Sequence, residues 1–350
     1  MGTVNFYDFN MSALEQFFVT RGEKKFRAQQ MFQWVYARGI TDPEQMTNLS
    51  KAFRAEIPQL FSFDLPQTIK HLSSVDGTQK FLFDMGDNMS VESVLIPSGD
   101  RNTLCVSSEV GCNLACKFCF TGKQKLLKRL SVSQIMGQFL QVKQACPDQP
   151  ITNIVFMGMG EPLDNPEAVF ASIEILNNTW GLNLSRKKIT VSTSGLVDKI
   201  PLVSKSGARL AVSLNGSNDR VRSDVMPINK KWNIKALLDA CLEHYRATND
   251  KITFEYVLLA GVTDSLDHAR ELYHLTKNVP CKLNIIPFNE HPDSGYQRPK
   301  DSAIDRFQHE LIRLGAHVLR RKTMGRDIFA ACGQLNSTAN KHPQLETLSQ

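Results

Sequence analysis

The apolar positions near the N-terminus recur with the period of a helix. Ser12 and Glu15 have the spacing of a capping box, and an apolar stripe follows them. A second helix is predicted over 28–37, and Ser50 is suited to begin a third. We therefore expect residues 1–75 to form a helical accessory domain.

The pattern further along the chain is that of strands. Residues 79–85 and 90–96 are rich in Phe, Val and Ile, and the turn-forming segment 86–88 lies between them. Two such segments around a short turn predict a β-hairpin. We expect this hairpin to form an extension over 76–97.

Strands and helices alternate over most of the remaining chain. Apolar segments predict strands at 103–107, 151–157, 188–193, 209–214, 252–259 and 282–287. Helical patterns separate or follow them at 132–145, 166–177, 196–204, 234–245, 266–277 and 301–314. Six strand–helix units in succession imply an α/β fold with a parallel sheet, and so an open or partial barrel. In such folds the chemistry belongs at the carboxyl ends of the strands.

Three cysteines stand close together after the first of these strands. Cys112, Cys116 and Cys119 have the spacing C-x3-C-x2-C, and Phe118 precedes the third. A 4Fe–4S cluster held by three thiolates keeps one iron open to the amino and carboxylate groups of S-adenosylmethionine (SAM). An electron then breaks a carbon–sulfur bond of SAM and yields a 5′-deoxyadenosyl radical. The spacing and the aromatic residue are typical of radical-SAM enzymes.

Zinc is the alternative metal for these cysteines, with Cys105 as a fourth thiolate. Zinc sites favour two short pairs of ligands, and no His lies near this loop, so the spacing favours the iron–sulfur cluster. A non-catalytic zinc-containing RNA-binding protein stays as the hypothesis from another class. It predicts colourless protein with bound zinc, whereas the enzyme is expected to be brown and oxygen-sensitive.

Polar or glycine-containing segments follow the later strands, where bound SAM is expected. The candidate SAM-binding residues are Gly160, Glu161, Ser192, Ser213, Leu214, Asn215 and Asn289. Gly160 and Glu161 lie in a run that resembles the glycine–glutamate element of radical-SAM proteins, with the carboxylate near the methionine amino group. Hydroxyl and amide groups at the next two strand ends suit the methionine carboxylate and the ribose. Asn289 follows the sixth strand and is the candidate for contact with adenine.

Two further cysteines point to a more specific family within the radical-SAM enzymes. Cys105 lies on the first barrel strand, and Cys332 lies in an Ala-Cys-Gly-Gln-Leu segment. Similar stretches include the cysteine loop and the segments 25–28, 91–94, 104–108, 157–162, 192–195, 226–229 and 331–335. Over residues 21–335 the chain resembles the RNA adenine-C2 methyltransferases of the RlmN/Cfr family. The resemblance implies a partial (βα)6 radical-SAM barrel over 98–335, followed by a polar tail over 336–350.

The resemblance also implies a radical mechanism, since carbon 2 of adenine is too electron-poor to attack SAM directly. Cys332 takes a methyl group from one SAM, and a second SAM provides the radical that removes a hydrogen atom from it. The resulting carbon radical adds to adenine, and Glu92 then removes the proton from carbon 2. Cys105 attacks the Cys332 sulfur, which forms a transient disulfide and releases the RNA. The implied substrates are one adenosine in 23S rRNA and one beside the anticodon of tRNA.

One residue departs from the family pattern, and one rival activity stays open. Asn215 stands where relatives commonly have His, and Asn can still donate and accept hydrogen bonds. The rival is the carbon-8 methyltransferase activity of Cfr, which shares the catalytic cysteines. The segments 25–28, 226–229 and 331–335 favour carbon 2.

Composition and charge set the remaining expectations. The chain has 350 residues, 41 Lys and Arg, 35 Asp and Glu, and a net charge of +6, which mildly favours a polyanionic partner. The apolar runs are too short to span a bilayer and no secretory signal is recognised, so we expect a cytoplasmic monomer without a membrane partner. The implied partners are 23S rRNA, tRNA and a flavodoxin-type reductant. The candidate RNA-gripping residues are Lys24, Lys25, Arg27 and Arg38.

Overall fold

The computed structural model describes residues 2–291 and 294–335, so the predicted tail over 336–350 lies outside the described residues. A ten-stranded sheet forms the centre of the fold, and its strands lie side by side in chain order. The strands are β1 Thr68–Ser73, β2 Gln79–Asp84, β3 Ser90–Ser98, β4 Arg101–Cys105, β5 Asn153–Phe156, β6 Ile189–Thr193, β7 Arg209–Ser213, β8 Ile252–Leu258, β9 Cys281–Pro287 and β10 Val318–Arg320. Strands β1 to β4 are antiparallel, and β4 to β10 are parallel.

Helices connect the parallel strands, as the alternating pattern predicts. The helices are α1 Met11–Val19, α2 Phe26–Phe32, α3 Lys51–Leu60, α4 Val132–Ala145, α5 Pro166–Asn177, α6 Ile200–Ser206, α7 Asp219–Val225, α8 Ile234–Thr248, α9 Leu266–Thr276 and α10 Asp301–Arg313. The six predicted barrel strands correspond to β4 through β9, and their register confirms the parallel sheet. Three elements, β1, α7 and β10, were not predicted from the pattern.

The N-terminal helices pack around a cluster of aromatic side chains. Phe6, for example, lies 5.5 Å from Phe61 and 6.1 Å from Phe32 between ring centroids. The predicted capping box at Ser12 is wrong, because Asn10 caps α1 and accepts a hydrogen bond from the Ala13 N–H. Two residues earlier in the chain, an Asn supplies a cap at least as good as Ser. The helix that begins after Ser50 is confirmed.

The predicted hairpin is confirmed as β2 and β3, but it belongs to a larger antiparallel extension of the sheet. β1 adds to β2, and β3 pairs with β4, so hairpin and barrel share one continuous sheet. β1 falls inside the segment expected to be helical. On the outer face of the sheet, Ser93 contacts Gln138 of α4 at 2.6 Å. Lys80, Glu92 and Val94 therefore point to the opposite face, called the inner face below, since strand side chains alternate.

The loops that follow the parallel strands meet at one edge of the sheet, as expected for this topology. They include the segments after β4, β5, β6, β7 and β9, which carry most of the predicted site residues. None of the helices within the described residues has the length and apolar character that a bilayer crossing needs.

Candidate active site

The loop that carries the three cysteines is folded back on itself after β4. It begins at Gly111, whose φ of +80° and tight packing against a neighbouring backbone leave no room for a side chain. The Cys112 N–H donates to the Gln124 carbonyl at 3.1 Å, and the Cys119 N–H donates to the Cys116 carbonyl at 3.1 Å. This folding brings all three cysteines to the wall of one cavity.

Burial dominates the chemistry of the three thiols. It raises the pKa of Cys112 and Cys119, and it raises the pKa of Cys116 to about 12. A buried thiolate is costly unless a positive centre lies next to it, and a metal ion supplies that centre. Within the described residues, no three His, Cys, Asp or Glu side chains lie close enough to hold a single metal ion.

A cavity of about 150 Å³ lies at the carboxyl ends of the parallel strands. The predicted residues that line it are Cys112, Cys116, Cys119, Gly160, Glu161, Ser192, Ser213, Asn215, Asn289 and Cys332. Three other predicted residues, Leu214, Glu92 and Cys105, are buried and do not belong to this lining. The structure thus brings the cysteine loop, Cys332 and most of the candidate SAM-binding residues together around one space.

The glycines of the loop after β5 are required by close packing against the chain that follows β4. A Cβ atom on Gly158 would lie 2.6 Å from the Ser107 Oγ atom. Gly160 has a φ of +93°, and a Cβ atom there would lie 2.5 Å from the Cβ atom of Glu109. The Ser107 Oγ atom also accepts the Met159 N–H at 2.8 Å. These contacts fix the loop beside the cysteines before any ligand binds.

Two buried carboxyl groups tie this loop to its neighbours. Glu161 accepts the Ser194 N–H at 2.8 Å and the Leu163 N–H at 3.2 Å, and burial raises its pKa to about 7. Glu109 accepts the Glu161 N–H at 2.9 Å, and burial raises the pKa of Glu109 to about 8. Since both Glu161 oxygens already accept backbone N–H groups, a ligand ammonium group would share them.

A fully buried arginine, Arg222 on α7, joins two of the strand ends. Its guanidinium donates to the carbonyls of Leu214 at 2.9 Å and Ser194 at 2.6 Å. It also donates to the Asn229 Oδ1 atom at 2.9 Å, which gives the segment 226–229 a structural role. Burial lowers the pKa of Arg222 to about 10, which still leaves it charged at neutral pH. Leu214, a candidate SAM-binding residue, therefore contributes its backbone carbonyl as an acceptor for Arg222.

Asn215 adopts a left-handed backbone conformation, with a φ of +48°. Asn tolerates this region better than most residues. Its Oδ1 atom accepts the Val257 N–H at 2.9 Å, and its Nδ2 atom lies 3.3 Å from the Met226 sulfur. The side chain thus braces β7 against β8 while it lines the cavity.

Several hydrogen bonds hold the segment around Cys332 over the cavity. The Asn289 Nδ2 atom donates to the Cys332 carbonyl at 3.2 Å, and the Phe120 N–H donates to the Gly333 carbonyl at 2.8 Å. The Thr121 hydroxyl donates to the carbonyl of Leu335 at 2.7 Å. Both Phe120 and Thr121 directly follow the cysteine loop. The hydrogen bonds therefore fasten Cys332 to the loop that carries the other thiols.

Cys105 lies close to Cys332 and apart from the cysteine loop. Burial, with a contribution from the neighbouring Cys332, raises the pKa of Cys105 to about 12. Arg321 lies beside both thiols, and the Cys332 sulfur raises the pKa of Arg321. This placement supports a pair of cysteines, Cys105 with Cys332, and does not supply a fourth thiolate to the loop.

Glu92 lies on β3 with its side chain on the inner face and 3% exposed. Its Oε1 atom pairs with the Lys80 ammonium group at 2.9 Å. Cys105 pairs with Val94 in the sheet register, so Glu92 and Cys105 lie near each other on the same face. The three predicted catalytic residues Glu92, Cys105 and Cys332 thus gather where the antiparallel extension meets the barrel.

Four residues of the site were missed because no motif signals them. Arg222 and Glu109 position loops, Lys80 contacts Glu92, and Arg321 faces the two cysteines. Arg321 stands in the basic run 320–322, and it lines the cavity. Alternation along β2 and β3 could have placed Lys80 and Glu92 on one face, but it does not show which side chains touch.

A parallel α/β barrel whose cavity is lined by three closely spaced cysteines and a glycine–glutamate loop defines a radical-SAM enzyme. The family model of the radical SAM superfamily matches residues 106–273. The model of the ribosomal RNA large subunit methyltransferase N-terminal domain matches residues 4–62. The first match lies within the barrel and includes β5 to β8, and the second lies within the N-terminal helical region.

Relatives of known sequence share nearly the full length of the chain. The dual-specificity RNA methyltransferase RlmN of Bdellovibrio bacteriovorus is 64% identical over 99% of this chain and 87% of its own length. The RlmN of Geobacter sulfurreducens is 44% identical over 93% of this chain and 90% of its own length. A crystal structure of a radical SAM methyltransferase from Sphaerobacter thermophilus, 36% identical, superposes with a TM-score of 0.88 over 95% of this chain and 99% of that one. The chain belongs to the RlmN family of dual-specificity RNA methyltransferases.

Proposed function

We propose that this enzyme methylates carbon 2 of adenosine in 23S rRNA and beside the anticodon of tRNA. The observation that carries the proposal is that Cys332 and the cysteine loop line one cavity, with Cys105 buried beside Cys332. Two cysteines outside the cluster loop are what a covalent methyl carrier and its release require. The kinship with RlmN proteins supports carbon 2 over the rival carbon 8.

The residues around the cavity fit a 4Fe–4S cluster and SAM. Cys112, Cys116 and Cys119 supply three thiolates, and Glu161 with the strand ends offers polar groups on the facing wall. When bound, the cluster and two SAM molecules per turnover supply the methyl group, an electron and a radical that removes hydrogen. The chain itself holds these groups apart from water within a cavity that Cys332 closes on one side.

Cys332 acts as the methyl carrier in this proposal. Its sulfur lines the cavity, and the Arg321 guanidinium lies beside it. After the carbon has joined adenine, Cys332 holds the RNA covalently. The hydrogen bond from Asn289 to the Cys332 carbonyl keeps the sulfur in place during these steps.

Glu92 and Cys105 complete the reaction. Glu92 takes the proton from carbon 2 of the bound adenine. Cys105 then attacks the Cys332 sulfur. The S–S bond forms, the bond from that sulfur to the new methyl carbon breaks with its electron pair on that carbon, and the single electron left by the radical addition would return to the cluster. Because burial raises the pKa of Cys105 to about 12, this thiol holds its proton until attack. The proton is then available to the departing carbon.

Mass spectrometry of RNA treated with the anaerobically reconstituted enzyme tests the proposal. We expect 2-methyladenosine in both 23S rRNA and tRNA, and 8-methyladenosine without 2-methyladenosine would overturn carbon-2 selectivity. Cys105→Ala is expected to trap the RNA covalently on Cys332. Free turnover by that variant would remove Cys105 from the mechanism, while Cys146→Ala serves as the matched control.

Some partners stay predictions. The N-terminal domain exposes Lys24, Lys25 and the ring of Phe26, which is 46% exposed, a combination suited to phosphates and an unstacked base. Arg27 and Arg38 lie over aromatic rings of their own domain, Arg38 at 4.0 Å from the Trp34 ring. A flavodoxin-type reductant, a monomeric state and a cytoplasmic location also stay predictions.

A further inference from the structure

Lys80 connects the proposed base to the segment that carries the methyl carrier. Its ammonium group lies 2.9 Å from the Glu92 Oε1 atom and 3.2 Å from the Phe329 carbonyl oxygen. The side chains of Lys80 and Glu92 are only 11% and 3% exposed. A buried ion pair persists only with good geometry and further hydrogen bonds, and the Phe329 carbonyl provides one of these.

The sheet register brings this ion pair near the reacting sulfurs. Lys80 stands opposite Val94, and Val94 in turn stands opposite Cys105, so all three lie on the inner face. Phe329 precedes Cys332 by three residues. One ammonium group therefore spans the strand that carries Glu92 and the segment that carries Cys332.

The segment before Cys332 has an unusual backbone that its neighbours must support. Phe329 has a φ of +50°, in the left-handed region that residues other than Gly and Asn seldom adopt. Asp327 fastens the same segment to the β1–β2 turn by accepting the Ser74 hydroxyl at 2.5 Å. Asp76 in that turn accepts the Gly325 N–H at 2.8 Å. Among these contacts to the segment before Cys332, that of Lys80 with Phe329 lies nearest to Cys332 along the chain.

We propose that Lys80 is a positioning residue, which holds the Glu92 carboxylate and the Cys332 segment in the arrangement needed to deprotonate RNA-bound adenine. The inference rests on the proposed function, in particular on Glu92 as the base. Lys80 touches neither RNA nor SAM in this role and exchanges no proton. Its ammonium group orients one Glu92 carboxylate oxygen and also holds the turn at Phe329. The base and the adenine bound covalently to Cys332 are thereby brought together.

The test compares Lys80→Met with Lys80→Arg and with Lys70→Met, an exposed lysine on the adjacent strand. The measurement is turnover on RNA whose target adenosine carries hydrogen or deuterium at carbon 2, together with the amount of protein–RNA adduct. Glu92→Gln should slow turnover by roughly 10²- to 10⁴-fold, and Lys80→Met by about tenfold or more, because the carboxylate remains. Lys80→Met should accumulate adduct and show a larger isotope effect, and Lys80→Arg should restore most of the rate.

A second measurement does not depend on cluster or SAM. In cluster-free protein, the alkylation rate of Cys332 reports how firmly its segment is held, and we expect both Lys80→Met and Asp327→Ala to increase it severalfold. Asp327→Ala releases the segment without contact to Glu92, so its isotope effect should rise less than that of Lys80→Met, which also frees the carboxylate. Lys80→Gln, which keeps a donor for the Phe329 carbonyl, is measured in the same way should Lys80→Met fail to fold.

The outcomes separate the inference from the function beneath it. Adduct accumulation by Glu92→Gln but not by Lys80→Met, with an unchanged isotope effect, overturns the role of Lys80 alone. Normal turnover by Glu92→Gln removes Glu92 as the base, and the inference is then rejected with it. An equal loss of rate in Lys80→Arg and Lys80→Met would show that packing, and not the positive charge, is what Lys80 contributes.

Discussion

Replacing Arg222 with Met is predicted to weaken both the fold and the binding of SAM. The guanidinium supplies donors to the Leu214 and Ser194 carbonyls and to Asn229. Met fills a similar volume without a donor, so these buried oxygens lose their partner. The ends of β6 and β7, where Ser192 and Ser213 line the cavity, then lose the contact that joins them.

The magnitude follows from the number of contacts and the size of the protein. Hydrogen bonds to charged groups contribute about 1.5–3 kcal/mol each, and relief of the arginine's own desolvation offsets part of their loss. We therefore expect a net loss of about 4 kcal/mol, within the range of about 3–5 kcal/mol for breaking a buried ionic contact. An unfolding entropy of about 2.1 cal/mol/K per residue over 350 residues converts this loss into a Tm lower by about 5 °C.

Thermal unfolding of the cluster-free protein measures the first effect, and calorimetric titration of the anaerobic holoenzyme with SAM measures the second. Arg220→Met, an exposed substitution on the same helix, is the matched control and should leave both values near the wild type. Arg222→Lys keeps the charge without the forked donors, so its Tm and its SAM affinity should lie between those of the wild type and Arg222→Met. A Tm change below about 1 °C for Arg222→Met, the size expected of a surface substitution, would refute the reasoning.

Two further predictions concern the cysteines and a buried carboxyl group. Cys112→Ala should lose iron and form no 5′-deoxyadenosine, whereas Cys332→Ala should keep both; iron analysis and chromatography would expose the opposite result. Glu109 has a pKa raised from its ordinary 4.5 to about 8, so the folded protein keeps a proton that the unfolded chain releases. Stability contributed by this group therefore falls as pH rises from about 4.5 to about 8, and Glu109→Gln should flatten that part of the curve in chemical denaturation; an unchanged slope would contradict this.

The barrel was predictable because its elements are long and strongly periodic. The antiparallel extension was only half predictable, since most side chains of β1 are exposed and show no buried alternation. The start of α1 was misplaced because two good caps, Asn10 and Ser12, stand two residues apart, and only the backbone geometry distinguishes them. Local sequence patterns thus predict which helices and strands form, while competing capping signals make their first and last residues harder to predict.

The cysteines and the glycine–glutamate loop were predictable because residues close together in the sequence form each motif. Lys80, Arg222 and Arg321 were not, because each acts through partners brought together by tertiary packing. Lys80 is 249 residues away from Phe329 in the chain. No local pattern can signal such a contact, and the basic run 320–322 does not show that Arg321 lines the cavity.

The Cys332 segment is hydrogen-bonded to elements that are synthesised much earlier, among them the β1–β2 turn and the loop of the three cysteines. Its contacts join residues separated by more than two hundred positions, and these form only when that segment has left the ribosome. A partly translated chain therefore has the three cysteines of the loop but not yet Cys332 beside them.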